Sequence, residues 1–350
     1  MFKLKTPIPR GERTRALFCL LLACLAAAFI VHCVALEPKA RASSGGYQWP
    51  LKPFDRPHPI RGGFGDPRTV FSVPPTEDGL MTGSGKFAFH FGIDIWGRNG
   101  TAVYPVVSGR VVRVSHDKPR EAVEVLATNG RSFQYWHIRP MVRPQQHVEA
   151  GVTVLGTILA PYEHVHFAEL QGDRVVNPLA LGHLTPYADT KEPEVESISL
   201  RRTETGSALL PNFVRGRVLM VAEAYDTRQL HIPGVWQPMP VAPALVTWRL
   251  TRLGGKAAAR GVAADFRRST PPNGRFWDHY ARGTYQNMSV FGPRYSWGQP
   301  GRFLFKLTRT PFDTSSVPDG VYDLEVTVTD IRGNTSSKAL RLTIHNRAGW

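Results

Sequence analysis

Short apolar runs with a period of two recur between about residues 58 and 185, and Gly and Pro residues separate them. The runs are TAVYPVVSGRVVRVS, EAVEVLATNGRSFQYWHI, VEAGVTVLGTIL and HVHFAEL. β-Branched residues in such a pattern predict strands bounded by turns. Asn129-Gly130 predicts a hairpin turn, because both residues tolerate positive φ. We therefore predict one antiparallel β domain over this segment.

A second β-rich region follows over residues 198–350. Near its end Leu324, Val326 and Val328 alternate with polar residues, and Gly333-Asn334 turns the chain into another strand. This pattern is typical of the closing hairpin of a β-sandwich. The predicted fold class is all-β, with an antiparallel first domain followed by a C-terminal immunoglobulin-like β-sandwich.

The first 42 residues have the composition of an export signal. Basic residues precede the apolar run ALFCLLLACLAAAFIVHCVAL, and the small residues Ala40 and Ala42 offer a cleavage site before Ser43. An uncleaved membrane anchor is the alternative, because about 20 apolar residues can span a bilayer. Lipoprotein processing at Cys24 fits its neighbours less well. Each possibility carries the remaining chain across a membrane, so we expect a secreted or extracytoplasmic protein, in the periplasm or cell wall.

The domain organisation predicted from these patterns has two folded parts joined by polar, proline-containing linkers. The predicted boundaries are 1–42 for the signal peptide or anchor, 43–57 for a linker, 58–185 for the first domain, 186–197 for a second linker and 198–350 for the accessory domain.

Cysteine usage and charge narrow the possible functions. All three cysteines lie in the N-terminal apolar run, so residues 43–350 have neither disulfides nor thiolate metal ligands. The formal net charge is +15, of which residues 43–350 keep about +10. A basic exported protein suits anionic wall polymers as partners. The sequence has no basic stretch interleaved with aromatic residues, so we expect no nucleic-acid partner.

The segment HVHF places His164 and His166 on one strand face, because alternate side chains of a strand point the same way. Val165 and Phe167 then point into a core. Two imidazoles beside each other can bind a metal, although such pairs also occur as surface patches. A further ligand is needed to favour the metal site.

The segment FHFGIDIWG supplies that ligand by the same periodicity. His90 and Asp94 share a face with Gly92 between them, whereas Phe91, Ile93 and Ile95 are expected to face the core. Two histidines and one carboxylate make a catalytic zinc site whose fourth position is left for water. Zinc lowers the pKa of that water to about 7.

His137 ends the predicted strand SFQYWH and is a further candidate. The sequence has no HExxH motif and no obvious glutamate base, so proton transfer would fall to a histidine that is not a ligand. Taken alone, His137 is better explained by a structural role. The ordered combination of the three motifs, in an exported domain without cysteine, favours a catalytic site.

These residues resemble the lysostaphin/LytM-type zinc endopeptidases, which cleave peptidoglycan peptides. The resemblance covers about residues 58–180 and rests on HFGIDI, GTAVYPVVSGRVV, YWHI, VEAGVTVLG and HVHF. It implies one zinc ion per chain, held by His90, Asp94 and His166. It also implies that His137 and His164 are the catalytic pair.

The implied function is a zinc-dependent endopeptidase that hydrolyses the peptide cross-links of bacterial peptidoglycan. One alternative is a non-catalytic peptidoglycan-binding or regulatory protein that keeps the peptidase fold. The other is a zinc-carrying structural module whose basic surface adheres to the wall. Peptidoglycan peptides are the expected partners, and contact with a membrane is expected only through an uncleaved N-terminal segment.

The chain departs from the usual pattern of this family at three places. Pro161 and Tyr162 stand where a glycine-rich turn usually precedes the two histidines, and Val165 replaces a leucine between them. An extra residue at Asp66-Pro67 precedes Arg68 in the entry segment HPIRGGFGDPR. These differences leave the predicted ligands intact and are expected to change the rim of the cleft.

Overall fold

The structure is a computed structural model that describes residues 46–71, 85–118, 120–234, 239–289 and 298–346. The N-terminal basic and apolar segment, with its predicted role in export or anchoring, lies outside the described residues. Within the described ranges, no helix is both long and apolar enough to cross a bilayer. By its internal contacts, Gly45–Trp350 forms one compact unit.

The first region consists of short strands, as its alternating pattern predicts. They are β1 (Ile60–Gly62), β2 (Pro67–Phe71), β3 (Gly85–Phe89), β4 (Ile93–Trp96), β5 (Ala102–Val103), β6 (Gly109–Ser115), β7 (Ala122–Ala127), β8 (Arg131–Trp136), β9 (Ile138–Pro140), β10 (His147–Val148), β11 (Gly156–Ile158), β12 (His164–Gln171) and β13 (Arg174–Val176).

The main sheet of this region has the strand order β1-β4-β12-β8-β7-β6-β10, with β13 also paired to β12. Its pairs are antiparallel, as predicted. One face is apolar, because Phe133 and Tyr135 of β8 and Val165 and Phe167 of β12 are fully buried. The side chains that alternate with these residues, including both histidines of β12, therefore project from the other face.

The predicted hairpin between β7 and β8 is present. The two strands pair antiparallel from Ala122↔Trp136 to Leu126↔Ser132, and the Gly130 amide donates to the Ala127 carbonyl at 3.1 Å. Gly130 has φ of 81° with open space around it, which suits glycine in this conformation.

The second region is also built of strands. They are β14 (Glu194–Arg202), β15 (Ala208–Leu209), β16 (Arg217–Tyr225), β17 (Leu245–Arg252), β18 (Ala257–Asp265), β19 (Met288–Ser289), β20 (Gly298–Gln299), β21 (Leu304–Lys306), β22 (Phe312–Asp313), β23 (Gly320–Thr329) and β24 (Thr335–Ile344). A short helix α1 (Phe276–His279) and 3₁₀ turns at Asn273–Arg275 and Thr314–Ser316 interrupt them.

Two antiparallel sheets form the body of this region. One has the order β15-β14-β16-β21 with β22 on β16, and the other has the order β18-β17-β23-β24. Strands β23 and β24 pair over their full lengths, and Leu324, Val326 and Val328 are completely buried. The predicted closing hairpin and the all-β class are confirmed. The immunoglobulin-like assignment stays a prediction.

Both segments predicted as linkers contain ordered structure. Tyr47, Trp49 and Leu51 are buried in the core, and the Trp49 indole donates to the Pro186 carbonyl at 2.8 Å. Strand β14 begins inside the second of these segments. Both segments are polar and contain proline, which is the composition of a linker, yet Tyr47, Trp49 and Leu51 of the first and Val195 of the second are buried. The domain boundaries themselves remain predictions.

The glycine-rich turn that follows β1 packs against the second region. Asp66 is fully buried and accepts hydrogen bonds from the Gly63 amide at 2.7 Å and the Ala242 amide at 2.8 Å. The Tyr280 hydroxyl donates to the Gly65 carbonyl at 2.8 Å. This turn is therefore held from both sides.

Candidate metal and catalytic site

The three predicted metal ligands converge on one point of the main sheet. Strands β4 and β12 are neighbours, and their register places His166 opposite Asp94. His90 Nε2 lies 2.8 Å from His166 Nδ1. Asp94 Oδ1 lies 3.0 Å from His166 Nδ1 and 3.1 Å from His90 Nε2. Three atoms that could ligate a metal thus face one another, and all three residues are buried.

In the segment FHFGIDIWG, three apolar residues were expected to face the core, and the structure confirms this for two of them. Ile93 and Ile95 are fully buried, as predicted. His90, however, lies in the connection between β3 and β4, so strand alternation does not extend to Phe91. Phe91 is 37% exposed and packs edge-on against the His166 ring, with centroids 4.6 Å apart.

The donor set fits a zinc ion. His90 Nδ1 lies 2.7 Å from the Gly63 carbonyl, which can only accept, so Nδ1 carries the proton and Nε2 presents a lone pair. That lone pair faces His166 Nδ1 and a carboxylate oxygen. At most one proton can bridge these three atoms, whereas a cation satisfies all of them. Two imidazole nitrogens and one carboxylate oxygen are also ligands that zinc accepts.

The electrostatics keep His90 and Asp94 in the state that binds metal. Burial lowers the pKa of His90 to about 3, so its imidazole is neutral. Burial alone would raise the pKa of Asp94, but His90, His164 and Arg68 outweigh it and hold that pKa well below its usual range. A metal therefore displaces few protons from these two residues when it binds.

His164 lies beside the three donor atoms without belonging to them. Its Nδ1 donates to the Tyr162 carbonyl at 2.7 Å, which leaves Nε2 unprotonated and 3.5 Å from Asp94 Oδ1. Burial holds the pKa of His164 well below its usual value. Nε2 is thus placed to accept a proton at the edge of the ligand cluster.

His137 approaches from the end of β8. Its backbone has φ of 63°, and its amide donates to the Glu121 carbonyl at 2.9 Å. The ring centroid lies 4.8 Å from that of His164. Nδ1 is buried without a hydrogen-bond partner, and burial lowers the pKa of the imidazole to about 4. A non-glycine residue in this conformation is strained, which is common at functional sites.

The segment that departs from the family pattern orients both of these histidines. The Tyr162 ring stacks on His137 with centroids 4.2 Å apart and planes 19° apart. Its carbonyl accepts from His164 and from Arg61 Nη1, the latter at 2.7 Å. The role of a backbone carbonyl could not be predicted, because any residue type supplies one.

A second group of carboxylates lies elsewhere in the structure. Asp189, Asp226 and Asp330 bring one oxygen each within 4.8 Å of one another. Asp330 Oδ1 accepts from three backbone amides of the β23–β24 turn, at 2.6 to 2.9 Å. Burial, followed by the charge of Asp189, raises the pKa of Asp226 to about 7. The cluster was not anticipated, because its members are far apart in the sequence.

Asp226→Asn is expected to stabilise the protein at pH 8 and to have little effect at pH 5. The folded pKa of Asp226, about 7, lies above its usual 3.8, so folding favours the protonated carboxyl. The stability that the protonated carboxyl contributes is complete below about pH 4 and is lost as the pH rises through 7. Asparagine stays neutral, so it avoids this loss at the higher pH. We expect the melting temperature at pH 8 to rise by about 2–4 °C.

Asp330→Asn is the matched control for that measurement. Its amide nitrogen would stand against the Asn334 side-chain amide, which donates to Asp330 Oδ2 at 2.7 Å. This variant should lower the melting temperature at both pH values. A stability change of the same size at pH 5 and pH 8 in Asp226→Asn would contradict the assigned titration.

Comparison with known proteins identifies the segment that carries the site. Residues 88–178 match the family model of Peptidase family M23. This segment contains the five predicted site residues, which are His90, Asp94, His137, His164 and His166. No curated protein sequence matches the chain.

Several solved structures are similar to part of the chain. The catalytic domain of the antimicrobial peptidase lysostaphin from Staphylococcus simulans is 19% identical, with 33% of this chain and 86% of that chain covered and a TM-score of 0.25. A zinc-containing peptidase from Vibrio cholerae is 21% identical, with 37% of this chain and 38% of that chain covered and a TM-score of 0.29. A mutant catalytic domain of the prophage-encoded M23 protein EnpA from Enterococcus faecalis is 23% identical, with 33% of this chain and 92% of that chain covered and a TM-score of 0.24.

The residues that match the family model include the three candidate metal ligands. Every motif on which the sequence resemblance rests, from HFGIDI to HVHF, lies within or close to the matched residues. Residues 88–178 of this chain therefore match the model of Peptidase family M23, the family that the sequence resemblance predicts.

Proposed function

We propose that this protein is a zinc-dependent endopeptidase that hydrolyses the peptide cross-links of bacterial peptidoglycan. The observation that carries the proposal is the convergence of His90 Nε2, Asp94 Oδ1 and His166 Nδ1 within 3.1 Å of one another. His137 and His164 lie beside this cluster as neutral imidazoles. The alternative, a non-catalytic binding or regulatory protein, would not need this complete set.

His90, Asp94 and His166 would hold the metal, and the other two histidines would handle protons. Bound zinc supplies Lewis-acid chemistry, including water of lowered pKa. His164 Nε2 accepts a proton from the attacking water, since its Nδ1–H is already committed to the Tyr162 carbonyl. His137 would stabilise the oxyanion, and the lack of a hydrogen-bond partner for its Nδ1 supports this role. An imidazole then returns the proton to the leaving amine.

The proposed location is extracytoplasmic, on the strength of the N-terminal sequence. The excess of basic residues suits anionic wall polymers as additional partners. An open groove beside β13 has Arg174, Arg267 and Arg268 in its lining, and Asp265 compensates one of these charges. Such a groove supports electrostatic attraction to the wall.

Purified residues 43–350 should contain about one zinc per chain and should release new peptide amino termini from isolated peptidoglycan sacculi. Zinc content by elemental analysis and the masses of released fragments are the measurements, with His164→Ala as the inactive control. Bound zinc without new amino termini would favour the non-catalytic alternative. The fragment masses would also identify the cleaved bond.

A further inference from the structure

The two oxygens of the Asp94 carboxylate have different partners. Oδ1 faces the imidazole nitrogens of His90 and His166 at 3.1 and 3.0 Å. Oδ2 accepts a hydrogen bond from Arg68 Nη2 at 2.8 Å. One oxygen is thus directed to the proposed metal position, and the other is held by a cation on a different strand.

The backbone around this ion pair leaves space for it. Gly62 pairs with Asp94 across β1 and β4, and a Cβ on Gly62 would lie 2.2 Å from Asp94 Oδ2 and 2.7 Å from Arg68 Nη2. Any larger residue would therefore displace the pair. Asp66 lies on the other side of the guanidinium, with Oδ2 3.8 Å from Arg68 Nη1. Arg68 is thus held between one carboxylate of the site and one of the buried turn.

We propose that Arg68 is a positioning residue that fixes Asp94 through Oδ2, so that Oδ1 alone is presented to the metal. The inference rests on the metal site of the proposed function. A carboxylate without such an anchor can rotate, present both oxygens or turn away, whereas a charge-assisted hydrogen bond selects one orientation. Partners of this kind around metal ligands typically change metal affinity by about 10–100-fold.

Arg68→Met tests this role, because methionine replaces the guanidinium with an apolar side chain of roughly similar reach. We expect about 10–100-fold weaker zinc binding, measured by competition with a chromophoric chelator. Substitution with cobalt(II) gives a second measurement. Release of Oδ2 should allow Asp94 to bind through both oxygens, and the higher coordination number should weaken the visible absorption bands.

Arg113→Met is the matched control. Arg113 also pairs with a carboxylate, Glu124, at 3.1 Å, but that carboxylate is not a predicted ligand. This variant should keep the affinity and cobalt spectrum of the wild type. Arg68→Lys should recover part of the affinity, because an ammonium can still donate to Oδ2.

Wild-type affinity or an unchanged cobalt spectrum in a folded Arg68→Met variant would overturn the positioning role while leaving the proposed function intact. Circular dichroism of the metal-free protein reports folding, and the milder Arg68→Gln variant carries the same comparison if the methionine variant does not fold. A wild-type protein that binds no zinc would contradict the proposed function, and this inference with it.

Discussion

His166→Ala is expected to lose bound zinc, whereas His164→Ala keeps zinc and loses most of its turnover. The two histidines lie two residues apart on β12, and both are buried. Only His166 contributes an atom to the donor cluster, with Nδ1 at 2.8 Å from His90 Nε2. His164 instead commits Nδ1 to the Tyr162 carbonyl and offers Nε2 as a proton acceptor.

Elemental analysis and a peptide-release assay on the two purified variants separate these roles. Loss of a general base typically lowers kcat by about 10²–10⁴-fold, so His164→Ala should retain about one zinc and only residual activity. His166→Ala leaves two ligands of three and should lose the metal in a chelator wash that the wild type survives. Equal loss of zinc from both variants would contradict the division into ligand and base.

Gly92→Ala is expected to disable the metal site although the substitution adds a single methyl group. A Cβ on Gly92 would lie 2.4 Å from the Phe167 carbonyl oxygen and 2.8 Å from His166 Nε2. Neither neighbour can move away freely, because Phe167 lies in the middle of the sheet and His166 is a predicted ligand. We expect a loss of about 1–3 kcal/mol in stability, as overpacking causes, together with weaker zinc binding.

Gly274→Ala is the control for the glycine substitution, since a Cβ at that position meets nothing within 4 Å. Chemical denaturation without metal measures the stability change, and chelator competition measures the change in zinc affinity. If Gly92→Ala binds zinc as tightly as Gly274→Ala does, the space beside His166 has no role in ligand placement.

Local periodicity accounts for the part of the site that could be predicted from the sequence. Alternation along β12 placed His164 and His166 on one face, and the buried pattern of Leu324, Val326 and Val328 identified the closing hairpin. These predictions succeed because the period of a strand is a property of neighbouring residues. The all-β fold class could be predicted for the same reason.

Contacts between distant segments account for what could not be predicted. Phe91 was expected in the core, but the chain leaves strand conformation before it. Trp49 was placed in a linker, yet it is completely buried. The anchoring of Asp94 by Arg68 and of His164 by the Tyr162 carbonyl depends on loop geometry that residue types do not reveal.

The buried turn at Asp66 has a consequence for protein engineering. The same turn supplies the Gly63 carbonyl that sets the tautomer of His90, and its own anchors are the Ala242 amide and the Tyr280 hydroxyl of the second region. A chimera that transplants residues 88–178 alone would leave behind both the turn and its anchors. The smallest segment that keeps the candidate site with its anchors therefore extends on both sides of residues 88–178, from the entry strand to at least Tyr280.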